Sequence, residues 1–373
     1  MENQLPSPDT LAGLLLTLTA LSGELPTTQI SRLTGGDAYK RKVIKQHKKD
    51  KLLHIYYADR LRGLRLTVLG KRLLLERWPD WFCPYLTGRS ETNMLKSESD
   101  RRLRLHRMAE VLVTMHNAGV DVFLWRKPTV FVPTRPFANI WIERPAYYSS
   151  HEVKGIGSQR DKTRGSRAVG VLLTGDDVFA VYNTGASEMK WEGNAEARPR
   201  ALLKIDQCQQ RLPSQYGGAG VGAIVFSADM GQMPALMGVG SDKRRKYFVL
   251  DDCYQQFYYL TSDYHGEVIL RLLCDSAQRA RLDNILMEGL FGSRPNWLMP
   301  NDAIDGGNPV LFAYTCDMPR IKRFVGGVTM HGLKGLLYCF DFQDEALSNI
   351  CGPDFEIQCI DFDAYERTIS QSS

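Results

Sequence analysis

Within the first eighty positions the apolar residues change period twice, and this succession constrains the fold more than any other feature of the chain. Leu11, Leu14, Leu15, Leu18 and Leu21 recur at helical spacing behind Ser7-Pro8-Asp9, a capping sequence with proline in the first turn, and Gly23 ends the run. After Leu25-Pro26, Thr27 caps a short second helix, Thr28 to Leu33, which turns Ile30 and Leu33 inward and stops at Gly35-Gly36. Asp37 starts a third helix, Ala38 to Asp50, with Tyr39, Val43 and Ile44 on one side and cations over most of the rest. Leu52 to Tyr57 and Leu61 to Thr67 read as two strands about a tight turn at Ala58-Asp59-Arg60. Helical spacing returns over Val68 to Trp78, with Leu69, Leu73 and Leu74 inward. Helix, helix, basic helix, hairpin, helix is the order of a winged helix-turn-helix, whose third helix enters the DNA major groove while the hairpin, or wing, touches the backbone.

The charge agrees with that order. Fourteen Lys or Arg against four Asp or Glu lie between Arg32 and Arg77, a local net charge of +10 in a chain whose total is +5. Most charge runs are solvated helix faces. Here the cations continue from the third helix onto the wing, which is where phosphates would lie, so double-stranded DNA is the expected partner. The expected contacts are Tyr39, Lys40, Arg41, Lys42, Lys45, Lys48 and Lys49 on the helix, with Arg60, Arg62 and Arg65 on the wing. Most would hold phosphate and set register, leaving base reading to residues near the helix start such as Tyr39 and Lys40. A membrane-surface helix would need bulky apolar residues on its free face, and here they are already used by the small core.

A length of 373 residues exceeds what one core supports. The pattern divides the chain into residues 1–80, the DNA-binding domain; 81–119, a linker and connecting helix; and 120–373, a mixed α+β domain with a break near 217–220 or 306–307. Asp80 to Asn93 lacks periodicity and reads as linker; Ser97 to His116 is helical, with Arg101, Arg102, Arg104 and Arg107 extending the DNA footprint or merely covering the helix. Beyond Val120, strands are expected at Ala168 to Leu173, Val178 to Asn183, Gly222 to Phe226, Tyr247 to Leu250, Phe257 to Leu260, Val310 to Thr315, Gly335 to Phe342 and Phe355 to Ile360. Helices are expected between them, at Glu196 to Gln210, Glu267 to Asp275, Ala277 to Glu288 and Gln343 to Ile350. No run of 18 apolar residues occurs, the N-terminus has no basic region before its apolar stretch, and none of the eight cysteines forms C-x-x-C. A cytoplasmic protein with reduced thiols and no membrane partner is expected.

Nuclease chemistry of the restriction-endonuclease-like kind needs an Asp and a D/E-x-K on adjacent strands, two carboxylates holding Mg²⁺ while the lysine orients water. Glu152-Val153-Lys154 and Glu188-Met189-Lys190 are the candidates, and the second follows Gly175-Asp176-Asp177 at the start of a strand. Asp177, Glu188 and Lys190 are thus the candidate catalytic residues and Asp177 and Glu188 the candidate metal ligands, although Gly-Asp-Asp turns also serve hairpins for backbone reasons alone. No two histidines are separated by one residue, and neither a P-loop nor G-x-S-x-G occurs. Tyr147, Tyr148 and Tyr182 are conceivable nucleophiles only with arginine or metal partners.

The winged helix, the basic run Arg101-Arg102-Leu103-Arg104-Leu105-His106-Arg107 and the Asp-bearing hairpin together resemble the replication-relaxation proteins of plasmids and integrative conjugative elements. The stretch from Ser166 through Val181-Tyr182-Asn183-Thr184-Gly185 to Lys190-Trp191-Glu192 is similar to uncharacterised mobile-element proteins. The resemblance implies a degenerate restriction-endonuclease-like second domain. Asp176 or Asp177 fits its first acidic position, while Val181-Tyr182-Asn183 stands where further acids are expected. It therefore implies a DNA-binding accessory of replication, relaxation or transfer that needs no cofactor and works with other replication or transfer proteins, or as a homodimer. The alternatives are a Mg²⁺-dependent nickase and a winged-helix regulator with a sensing domain.

Overall fold

The computed structural model describes residues 5–131, 140–153, 166–187, 191, 193–238, 254–293, 297 and 299–370. The architecture is α+β, in two compact units: Met1–Lys162 with Val169–Gly175, and Thr163–Ala168 with Asp176–Ser373. The divisions expected at 80 and 119 both fall inside the first unit. Among the described residues no helix is long and apolar enough to cross a membrane.

The first unit begins with α1 (Leu11–Ser22), β1 (Leu25–Pro26), α2 (Thr27–Ile30), α3 (Asp37–Lys49), β2 (Leu53–Ala58), β3 (Leu61–Leu66) and α4 (Val68–Arg77). Thr10, not Ser7, caps α1, its side chain accepting the Gly13 N–H. Leu15, Leu18 and Leu21 of α1 are buried with Ile30, Leu33, Val43 and Leu74, as the apolar spacing anticipated, and with Leu25, Leu53 and Leu64, whereas Leu11, Ile44, Leu69 and Leu73 are only half-buried. β2 and β3 pair antiparallel from Leu53↔Leu66 to Ala58↔Leu61, and β1 adds a third strand along β3. The expected linker instead forms α5 (Pro79–Leu86), with Pro at its first position and Pro84 inside it; Phe82 and Tyr85 are buried and the helix packs on α1 and α4. α6 (Ser99–Asn117) is the expected connecting helix, but it packs on α1, β1 and β3 and belongs to this core. β4 (Ala146–Ser149), α7 (Ser150–Val153) and β5 (Gly170–Leu173) complete the unit, β4 and β5 being antiparallel.

In the second unit β6 (Val178–Gly185), β7 (Val221–Ser227) and β8 (Phe257–Thr261) run parallel. Between β6 and β7 come α8 (Gly193–Leu202), a π-helical stretch (Leu203–Arg211) and α9 (Pro213–Tyr216); α10 (Met233–Leu236) follows β7. Then come α11 (Tyr264–Cys274), α12 (Ser276–Leu286), β9 (Phe291–Gly292), β10 (Ala303–Asp305), β11 (Asn308–Phe312), α13 (Met318–His331), β12 (Gly335–Phe340), α14 (Asp344–Ser348), β13 (Phe355–Ile360) and α15 (Phe362–Ser370). β9, β10 and β11 are antiparallel, and β11, β12 and β13 parallel, with α13 as a crossover. Gly306-Gly307, expected as a break, is the β10–β11 turn, with φ of 52° and 90° that glycine tolerates without cost. The expected strand Tyr247 to Leu250 lies outside the described residues.

Candidate nucleic-acid interface

α3 takes its position from two features of its sequence. Val43 and His47 face the core, and the His47 ring bonds the Ala12 carbonyl of α1 at 2.9 Å. Burial lowers the His47 pKa, so the ring is held as the neutral donor. Asp37 lies in the first turn and Lys48 and Lys49 in the last, each sign matched to the helix dipole. With that face inward, Arg41, Lys42, Lys45, Lys48 and Lys49 are all exposed. Arg41, Lys45 and Lys48, spaced i, i+4 and i+7, share one side. They line a groove of about 490 Å³ together with Arg62 of β3, the apolar Ile44 and Ile55, and Asp37.

The hairpin is fixed by a buried charge cluster that no local pattern announces. Glu24, between α1 and β1, is fully buried. Its carboxylate accepts hydrogen bonds from Arg65 (2.6 and 2.8 Å), Arg102 (2.6 and 3.1 Å) and His106 (2.8 Å). Burial alone would raise the Glu24 pKa, but the bonds from His106, Arg102 and Arg65 outweigh it and lower it to about 2. Arg102 also donates to the carbonyls of Ala58 (2.7 Å) and Leu61 (3.0 Å), the two residues that flank the turn, and Ser99 donates to Asp59 within it. The Arg65 and Arg102 guanidinium groups lie 3.8 and 4.7 Å from the centroid of the Tyr56 ring. α6 thereby holds both the base and the tip of the hairpin.

These contacts correct three expectations. Arg65 is buried against Glu24 and cannot serve as an exposed wing cation. Lys40 is 6% exposed and donates to the Ser31 carbonyl at 2.8 Å, so it ties α3 to α2 rather than reading a base. Arg102 is fully buried and extends no footprint, whereas Arg101 and Arg104 are exposed and pair with Glu98 and Glu91. Of the fourteen cations between Arg32 and Arg77, Arg32, Lys40, Arg65 and Lys71 are bound within the fold and the other ten are exposed. Tyr39 is 52% exposed, as a base-reading position requires. Tyr57, which faces Arg62 across the ladder and is 66% exposed, was missed; an exposed aromatic beside a cation is the signal that would have found it.

The second expected site is placed only in part. Asp177 precedes β6, and burial raises its pKa, with Arg279 opposing. Glu188 and Lys190 lie outside the described residues, as does Lys154. Glu152 is taken by Lys127 at 2.8 Å. Among the described residues no three His, Cys, Asp or Glu side chains are grouped to hold a metal ion. Tyr147 and Tyr148 donate to the carbonyls of Val169 and Pro128, and Tyr182 shares a hydrogen bond with Tyr254. All three are buried, and burial drives the Tyr147 and Tyr182 phenols well above their ordinary range, the reverse of what a nucleophile needs.

No family model, curated protein or solved structure matches this chain.

Proposed function

We propose that the first unit is a winged helix-turn-helix that binds double-stranded DNA, with α3 as the recognition helix and the β2–β3 hairpin as the wing. The carrying observation is the distribution of the cations: ten of fourteen stay exposed, and those of α3 and β3 meet across one groove. Arg41, Lys42, Lys45, Lys48, Lys49, Arg60 and Arg62 supply phosphate contacts, and the groove between helix and wing takes one sugar–phosphate strand. Tyr39 and Tyr57 are exposed aromatic side chains on the same helix and hairpin, and in this reading they meet the bases.

Backbone strain supports the same reading. Of the four non-glycine residues with positive φ among the described residues, Lys51, Asp59 and Arg60 (φ 55°, 51° and 61°) belong to this segment. Two are cations at positions that glycine would fill more cheaply. Joined to the resemblance to replication-relaxation proteins, the reading becomes a DNA-binding accessory of a mobile element, acting in replication, relaxation or transfer.

The test is a gel shift with duplex DNA over a salt series. Replacing Lys45, Lys48 and Lys49 by Ala is expected to weaken binding to all sequences and to flatten log K against log salt by about 0.9 for each phosphate no longer neutralised. Binding that is unchanged at moderate salt would exclude α3 as the interface.

A further inference from the structure

The second unit holds a charged cleft that DNA binding leaves unused. It opens where the parallel strands begin: Asp177 precedes β6, Gly220 precedes β7, and Gln255 and Gln256 precede β8. Two adjoining cavities of about 470 and 250 Å³ share Gln256, Asp317 and Arg320. α12 contributes Arg279 and Asp283 to the smaller one, and α13 contributes Arg323 to the larger. Together they fall within the roughly 300–1,000 Å³ usual for small-molecule sites.

Part of this charge builds the walls. Arg320 pairs with Asp302, whose other oxygen accepts the Phe312 N–H at 2.8 Å. Asp317 accepts the Phe257 N–H at 3.2 Å, and Asp283 accepts the Tyr314 hydroxyl at 2.6 Å. The rest is left over. The half-buried Arg279 side chain makes no hydrogen bond or ion pair with a described residue, though it lies close enough to Asp177 and Asp283 to oppose the rise in their pKa that burial causes. Asp283 and Asp317 are each bonded to neutral donors, and burial leaves both carboxyls raised.

A guanidinium with no hydrogen bond or ion pair to a described residue, and the Asp283 and Asp317 carboxylates held by neutral donors, make two demands of opposite sign. With Arg320 and Asp302 paired to each other, an anion alone would meet Asp177, Asp283 and Asp317, and a cation alone would meet Arg279 and Arg323. Nucleic-acid backbone is disfavoured by those three carboxylates. A molecule with both charges a few bonds apart answers both. We propose that this cleft binds a small zwitterion of the α-amino acid type, its carboxylate on Arg279 and its ammonium between Asp283 and Asp317. The site is independent of the proposed DNA interface, so either can fail without the other.

Isothermal titration of the full chain with each of the twenty L-α-amino acids tests this, followed, for any that binds, by its decarboxylated amine and its deaminated acid. Saturable binding of at least one amino acid is expected, at least tenfold weaker for both analogues. Arg279→Gln and Asp283→Asn, the second keeping an oxygen for Tyr314, should each weaken it at least tenfold while circular dichroism stays unchanged. No saturable binding by any of the twenty, an analogue that binds as tightly as its parent, or affinity untouched by both substitutions overturns the proposal. So does a nucleoside monophosphate that binds where no amino acid does. The analogue comparison uses the unaltered protein, and it decides the matter even where a variant fails to fold.

Discussion

Glu24 in the first unit and Asp177, Asp283 and Asp317 in the second are all carboxylates withdrawn from water, yet their proton affinities move in opposite directions. Burial raises every one of them. Glu24 alone is answered by two fixed guanidinium groups and a histidine, five hydrogen bonds in all, and is lowered to about 2. Asp317 receives the backbone N–H groups of Phe257 and Arg320 and Asp283 the Tyr314 phenol, with arginine side chains near but not bonded to either. Burial therefore sets a cost of similar kind in both places, and the count of committed cationic donors decides the sign. A cluster whose charges are all answered holds structure. One with charge left over is equipped to meet something else.

Removing Glu24 should have the largest effect. Glu24→Ala leaves Arg65 and Arg102 buried without a counter-charge, and breaking such a pair costs about 3–5 kcal/mol. Urea denaturation of the full chain should show a loss of that order in the first unit, followed through Trp78, Trp81 and Trp125. A loss under about 1 kcal/mol would mean that solvent or rearrangement replaces the carboxylate, and that the cluster does not hold the hairpin.

Next in size is pH dependence, which separates the clusters by sign. Glu24 is lowered on folding, so its contribution is fully present above its ordinary value of 4.5 and is lost as pH falls toward about 2; one such shift amounts to roughly 3 kcal/mol. Asp177, Asp283 and Asp317 are raised on folding, so their contribution is present at low pH and is lost as pH rises through their folded values. Carboxyl ¹³C titration should place Glu24 well below and the three Asp above their ordinary ranges. Equal midpoints in the two clusters would collapse the distinction.

The comparison also shows what the sequence could and could not convey. The order from α1 to α4 was legible because apolar period, caps and turns are local. Glu24 was not: its partners lie 41, 78 and 82 residues away, and nothing about a lone acid before Leu25-Pro26 marks it. Arg65 and Arg102 were for the same reason counted with the surface cations. α5 was hidden by Pro84 and α13 by Gly326-Gly327, although a side chain at Gly327 would stand 2.5 Å from Met299, so the glycine serves packing there. Asp177 was singled out for a partner eleven residues on, whereas the cleft joins it to Asp317, Arg320 and Arg323, far along the chain.

The smallest effects belong to Lys51 and Arg60, and they sharpen the contrast from the other side. After α3 the Leu52 N–H reaches the His47 carbonyl and the Lys51 N–H reaches that of Lys48, the pattern that usually ends with glycine where Lys51 stands at φ 55°. Arg60 occupies the second turn position at φ 61°, where hairpins favour glycine. Lys51→Gly and Arg60→Gly should each stabilise the fold by up to about 1 kcal/mol, since a left-handed residue with a side chain costs about that much. Arg60→Gly should at the same time weaken DNA binding and reduce its salt slope by about 0.9, the value of one neutralised phosphate. Both variants can be scored by urea midpoint and by gel shift over a salt series. A gain in stability with a fall in DNA affinity would show strain held for the sake of charge, the inverse of Glu24, whose charge is held for the sake of stability. A gain in stability with affinity unchanged would remove the turn from the interface and confine binding to α3 and Arg62.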